Sequence, residues 1–166
     1  MRVFACVVTK PMPSLNPQDV VAFLQNPWFK EGTKQETIDK YRTDADFRRR
    51  LLAMSPTGER LCTAFGDDWF RGIHWDNANT KHGSHYSAQY QADIEHMAGV
   101  IAAKTPLMVV TFGAISTRGW QRLVNIPGAG NYYKSLAHMS FRHPMAYGVS
   151  LDMLMEFAAR IQFATT

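Results

Sequence analysis

Leu107-Met108-Val109-Val110-Thr111-Phe112-Gly113 is the stretch on which the fold turns. Six residues rich in β-branched and aromatic types, closed by a glycine and without polar alternation, suit a strand buried on both faces. On its amino side, Tyr90, Ile94, Met97, Ala98 and Ile101 mark one face of a helix ending near Lys104. On its carboxyl side a second helix turns Ile115, Trp120 and Leu123 inward. Residues 125–135, with glycines, a proline and two tyrosines, read as a long loop over the pocket. Leu136 to Arg142 alternates as a strand closed by His143-Pro144, and Ser150 caps a last helix carrying Leu151, Leu154, Met155, Ala158 and Ile161. Helix, strand, helix, strand, helix is the signature of a parallel sheet covered on its faces. The expected fold class is therefore α/β: three layers, α/β/α, around a mostly parallel central sheet, as one domain over residues 1–166.

The amino half is less regular. Residues 3–9 read as a first strand, too short an apolar run for a signal peptide. A short helix is expected around Asp19 to Leu24, and a single surface helix over residues 34–53 with Ile38, Tyr41, Ala45 and Leu52 on one face. Ser55-Pro56 starts a helix with Leu61, Ala64 and Phe65 inward, and Gly66 stops it. Residues 69–75 read as a short strand and Asp76 to Ser87 as a loop.

Composition narrows the class. Of 166 residues, 46% are hydrophobic and 19% charged, which supports a packed core and argues against disorder. No apolar run is long enough to span a bilayer, so no membrane is expected. Cys6 and Cys62 lie among apolar neighbours at no metal or redox spacing, and read as reduced core thiols of a cytoplasmic monomer. The formal charge of +4 permits a polyanionic partner. Its distribution says more. From Thr105 to Ser150 there is no Asp or Glu, while Arg118, Arg122, Lys134 and Arg142 occur among Trp120, Tyr132, Tyr133 and Tyr147. Such a segment suits a surface that meets phosphates and bases, so DNA is the expected partner.

Four elements carry a family resemblance: Pro13-Ser14-Leu15-Asn16-Pro17 near the opening strand, Ser55-Pro56-Thr57-Gly58-Glu59-Arg60-Leu61, Asp76-Asn77-Ala78-Asn79, and the pair Val109–Gly113 and Phe141-Arg142-His143-Pro144, each followed by a helix. In this order the chain resembles a divergent uracil-DNA glycosylase. Two departures accompany the likeness: Met145 stands where the family's last motif has serine, and no carboxylate sits beside the first proline.

The resemblance implies base flipping and hydrolysis of an N-glycosidic bond, without a cofactor or metal. It assigns His143 to the departing base anion and Asn16 to the water, with Asp19 as the nearest carboxylate for a general base. Asn77 or Asn79 would read the base edge, Phe29 or Trp28 would stack on it, and Tyr147 would fill the vacated base stack. Arg142, Lys134 and Arg118 would meet phosphates. The altered motifs point to a modified pyrimidine of the kind found in phage DNA. Two other readings stand beside this one: a DNA-binding module that has lost catalysis, and a metal-assisted hydrolase built on His74, His82, His85 and His96.

Overall fold

The computed structural model describes residues 14–27, 29–81 and 91–163. The expected first strand over residues 3–9 lies outside them. Four strands, β1 (Val20–Leu24), β2 (His74–Asn77), β3 (Met108–Phe112) and β4 (Ala137–Phe141), form an all-parallel sheet in the order β2-β1-β3-β4. β1 pairs on one side with β2, Phe23 opposite Asp76, and on the other with β3, Ala22 opposite Val110. β3 carries β4 along its whole length.

A 3-10 turn at Pro17–Asp19 precedes β1, and eight α-helices are described: α1 (Gln35–Thr43), α2 (Ala45–Ala53), α3 (Pro56–Phe65), α4 (Asp67–Gly72), α5 (Ile94–Lys104), α6 (Ala114–Val124), α7 (Gly130–Ser135) and α8 (Leu151–Gln162). Because side chains alternate along each strand, the sheet feeds two cores. Val20, Ala22, Leu24, Trp75, Val110 and Phe112 pack against α3 and α8. Val21, Phe23 and Val109 pack against Met97 and Ile101 of α5 and Trp120 and Leu123 of α6. Three layers result, helix–sheet–helix. None of the described helices is long and apolar enough to cross a membrane.

Four expectations are corrected. Val20–Leu24 is not a helix but β1, all five residues buried; a short run apolar at every position has no period from which to choose. The helix over 34–53 is two helices, broken at Asp44, which is extended and accepts the Phe47 N–H at 3.0 Å to start α2. The strand over 69–75 is shifted: residues 67–72 form α4, and β2 begins at His74. Finally, the long loop over 125–135 contains α7 and enters the amino end of β4, so it does not cover a pocket at the strands' carboxyl ends.

Candidate functional site

Consecutive connections leave this sheet toward different faces. The chain leaving β1 runs through α3 on one face, whereas the chain leaving β3 enters α6 on the other. Neighbouring loops therefore diverge above β1 and β3, and a crevice opens at their carboxyl ends, the place where open parallel sheets bind ligands. Gln25-Asn26-Pro27 and Phe29 form its β1 side. Gly113 and the start of α6 form its floor. His143 rises from β4, and Asn79 flanks the opposite end beyond β2. Strands lie about 4.8 Å apart, so the loops after β1 and β4 stand roughly 10 Å apart. Gly113 is required there: its φ is +93°, and a Cβ would come within 2.7 Å of the Gln25 side chain. The Gln25 Oε1 accepts the Ile115 N–H at 3.4 Å, joining the two walls.

His143 is held in a defined orientation. The Met145 N–H donates to its Nδ1 at 3.1 Å, which makes Nδ1 the accepting nitrogen and Nε2 the one that can present a proton. The turn is closed by Ala146 N–H donating to the His143 carbonyl at 2.9 Å, and Pro144 is buried beneath it. Arg60 of α3 reaches the same segment, its Nη2 donating to the Val149 carbonyl at 2.7 Å. Tyr147 stands fully in solvent, at 101% exposure, on the turn between His143 and α8. Arg142 is exposed beside it, its guanidinium lying along Gly148.

The two asparagines after β2 part company. Asn77 is occupied: its Nδ2 donates to the Tyr41 hydroxyl at 2.6 Å. Burial pushes the Tyr41 phenol up to about 12, against the lowering effect of that hydrogen bond and of Arg48. Phe29 meets Tyr41 edge-on, centroids 5.1 Å apart, and so belongs to the wall. Asn79 is 3% exposed, and its Oδ1 accepts the Lys81 N–H at 3.0 Å. Its Nδ2 is buried with no hydrogen-bond partner among the described residues, an arrangement that costs about 1–3 kcal/mol unless a ligand supplies the acceptor. The backbone N–H of Asn79 donates to the Gln25 carbonyl at 2.8 Å, which ties it to the crevice. Trp28 lies outside the described residues.

Asn16 and Asp19 do not join this group. Both precede β1, at the amino edge of the sheet, where the Asp19 carbonyl accepts the Leu107 N–H at 2.8 Å just before β3. A five-residue strand separates the edges by about 16 Å, so neither reaches His143. The Asn16 N–H donates to Asp19 Oδ2 at 2.9 Å, and Pro17 packs so closely on Gly72 that a Cβ there would overlap it. Asn16-Pro17 is a structural turn. The Asn-Pro pair that follows a described strand into the crevice is Asn26-Pro27. Lys134 likewise sits at the amino end of β4, away from Arg142, while Arg118 is exposed on α6.

A buried charge cluster escaped the sequence reading. Asp76, 8% exposed, pairs with Arg48 at 3.4 Å, His96 at 3.1 Å and His74 at 3.5 Å. Burial by itself would raise the Asp76 carboxyl, but hydrogen bonds from His74 and His96 and the Arg48 charge outweigh it and hold the group far below the usual carboxylate range. The hydrogen bond that His96 Nε2 donates to the Asp76 carboxylate raises His96 in turn. Arg48 also donates through Nε to the Trp75 carbonyl at 3.0 Å, satisfying the outward edge of β2. The alternation His74-Trp75-Asp76 carried the signal, since it puts His74 and Asp76 on one face of a strand. These two histidines are committed to a carboxylate, His82 and His85 lie outside the described residues, and no group of three or more candidate ligands is placed to hold a metal ion among the described residues.

On the α6 side of the sheet, His138 Nε2 lies 2.9 Å from Thr111 Oγ1, and its ring stacks on Trp120 with centroids 4.8 Å apart. Burial pulls this histidine down to about 4, so it is neutral at pH 7 and braces α6 against the sheet. No protein-family model matches the chain, and no curated protein matches its sequence.

Proposed function

We propose that this protein extrudes a pyrimidine, uracil or a modified derivative, from DNA and hydrolyses its N-glycosidic bond. One arrangement carries the reading: after β4 stands an imidazole whose Nδ1 accepts a backbone N–H, and after β2 a buried amide donor lacking an acceptor among the described residues. Cleavage moves the C1′–N bonding pair onto the base, and the His143 Nε2–H donates a hydrogen bond to the oxygen on which that charge collects. Asn79 reads the base edge through Nδ2. Asn26 takes the water-orienting role that the resemblance implies for the Asn-Pro loop, and water adds its oxygen to C1′ while its proton leaves to solvent or to the departing base. Tyr147, exposed on its turn, is placed to enter the vacated base stack, and Arg142 and Arg118 to meet phosphates.

The test uses DNA carrying uracil or 5-substituted pyrimidines, with abasic sites read as alkali-labile breaks. His143→Ala is expected to lower excision by about 10²–10³, the usual cost of losing one donor to a developing anion, while DNA binding persists. No abasic product on any such DNA, single- or double-stranded, overturns the proposal.

A second reading, a binding module without catalysis, draws on the missing base: Asp19 lies at the far edge, and Asp76 is enclosed by three basic side chains. It requires salt-sensitive DNA binding that survives both His143→Ala and Asn26→Ala, with no excision by the parent protein.

A further inference from the structure

β4 is the outer strand of the described sheet, and beside it α8 leaves a groove of about 340 Å³ lined by Met139, Phe141, Met153, Glu156, Phe157 and Arg160. The groove is apolar at its base and charged along its rim. The rim is ordered. Met153, Glu156 and Arg160 are exposed and recur at spacings of three and four as one stripe along α8, and the exposed Phe163 follows three residues on, just past its end. Glu156 and Arg160 already bridge at 3.2 Å. Their order makes the stripe its own complement. Turned end for end about the level of Ala158, it sets Glu156 against Arg160 and Met153 against Phe163. Isologous two-fold interfaces require that property, and an arbitrary partner would not impose it.

We propose that this face binds a second copy of the same chain, α8 against α8 and β4 beside β4, both antiparallel. Each Glu156 then meets an Arg160 on either side, forming a four-charge network where two separate monomers each have one isolated pair. Met153 is withdrawn from water, and the outer edge of β4 gains a hydrogen-bonding partner. The carboxyl-edge crevice stays open, because the two-fold axis passes the flank of the sheet. The dimer is independent of the glycosylase reading.

Sedimentation velocity of the full chain across the micromolar range tests it. The expected result is a reversible monomer–dimer equilibrium. Glu156→Arg sets like charges together across the axis and should raise the dimer Kd by about tenfold or more, as should Arg160→Glu. The double exchange E156R/R160E restores self-complementarity and should restore the dimer, which separates a specific interface from general loss of folding. Met153→Asp should abolish association with the circular dichroism spectrum unchanged. A monomer at every concentration overturns the proposal, as does a dimer indifferent to both single reversals and to Met153→Asp. A groove protected from hydrogen exchange in a strictly monomeric protein would assign it to residues of the same chain, and would equally refute the second copy.

Discussion

Replacing Arg48 with methionine removes one charge from a buried cluster while keeping most of the side-chain volume. Arg48 is 6% exposed; besides pairing with Asp76 it donates to the carbonyls of Trp75 and Tyr41, each at 3.0 Å. Methionine leaves the Asp76 carboxylate buried against two histidines and leaves the outer Trp75 carbonyl without its donor. Breaking a buried pair from one side costs about 3–5 kcal/mol, out of a total of roughly 5–15 kcal/mol for a domain. At 2–4 °C per kcal/mol for a chain of this size, the melting temperature should fall by roughly 6–20 °C.

The pH profile separates this cause from simple loss of packing. Asp76 titrates lower in the folded chain, so its contribution is present above its unfolded value near 3.9 and is lost as pH falls through the folded one. His96 titrates higher when folded, so its contribution is complete below about 6.5 and is lost as pH rises through its raised value. Between those limits the cluster is at full strength. Urea denaturation at intervals from pH 4 to 9 should show wild-type stability falling on the alkaline side, with Asp76→Asn flattening that fall. An Arg48→Met midpoint within experimental scatter of wild type, or an alkaline slope unchanged in Asp76→Asn, refutes the reasoning.

Asn79→Leu should change stability by no more than about 1 kcal/mol in either direction, because it deletes a buried donor without an acceptor among the described residues together with the Oδ1 that accepts the Lys81 N–H; base discrimination in the excision assay should fall. A loss above about 3 kcal/mol in urea would mean the amide is already satisfied. Tyr147→Ala should shift the urea midpoint by less than about 0.5 kcal/mol, since the side chain is fully exposed, yet should weaken excision from duplex DNA more than from single strands. Asn16→Ala should leave excision unchanged, being at the far edge of the sheet; a drop in activity matching that of Asn26→Ala would contradict the placement of the site.

Local sequence determined much of this architecture. Ser55-Pro56 and Gly66 bound α3 because a capping hydroxyl, a fixed proline φ and a left-handed glycine act on the nearest backbone. Ser150 starts α8 in the same way, its hydroxyl accepting the Met153 N–H at 3.1 Å. Helix periodicity placed α5, α6 and α8, and the buried run at residues 107–112 identified β3. The position of His143 just past β4 was legible because an alternating strand ends just before it.

What remained depended on neighbours distant in sequence. Val20–Leu24 carries no period, and becomes a strand only because β2 and β3 supply ladders on both sides. Once β1 is known, the two Asn-Pro pairs become distinguishable: Asn16-Pro17 enters the strand and Asn26-Pro27 leaves it, with the length of the sheet between them. Asn77 and Asn79 look equivalent in the chain, yet the Tyr41 hydroxyl, thirty-six residues away, occupies one and leaves the other. Composition and spacing act within a few residues; which edge of a sheet a loop occupies, and which polar groups find partners, is settled by the crossing of strands that share no sequence neighbourhood.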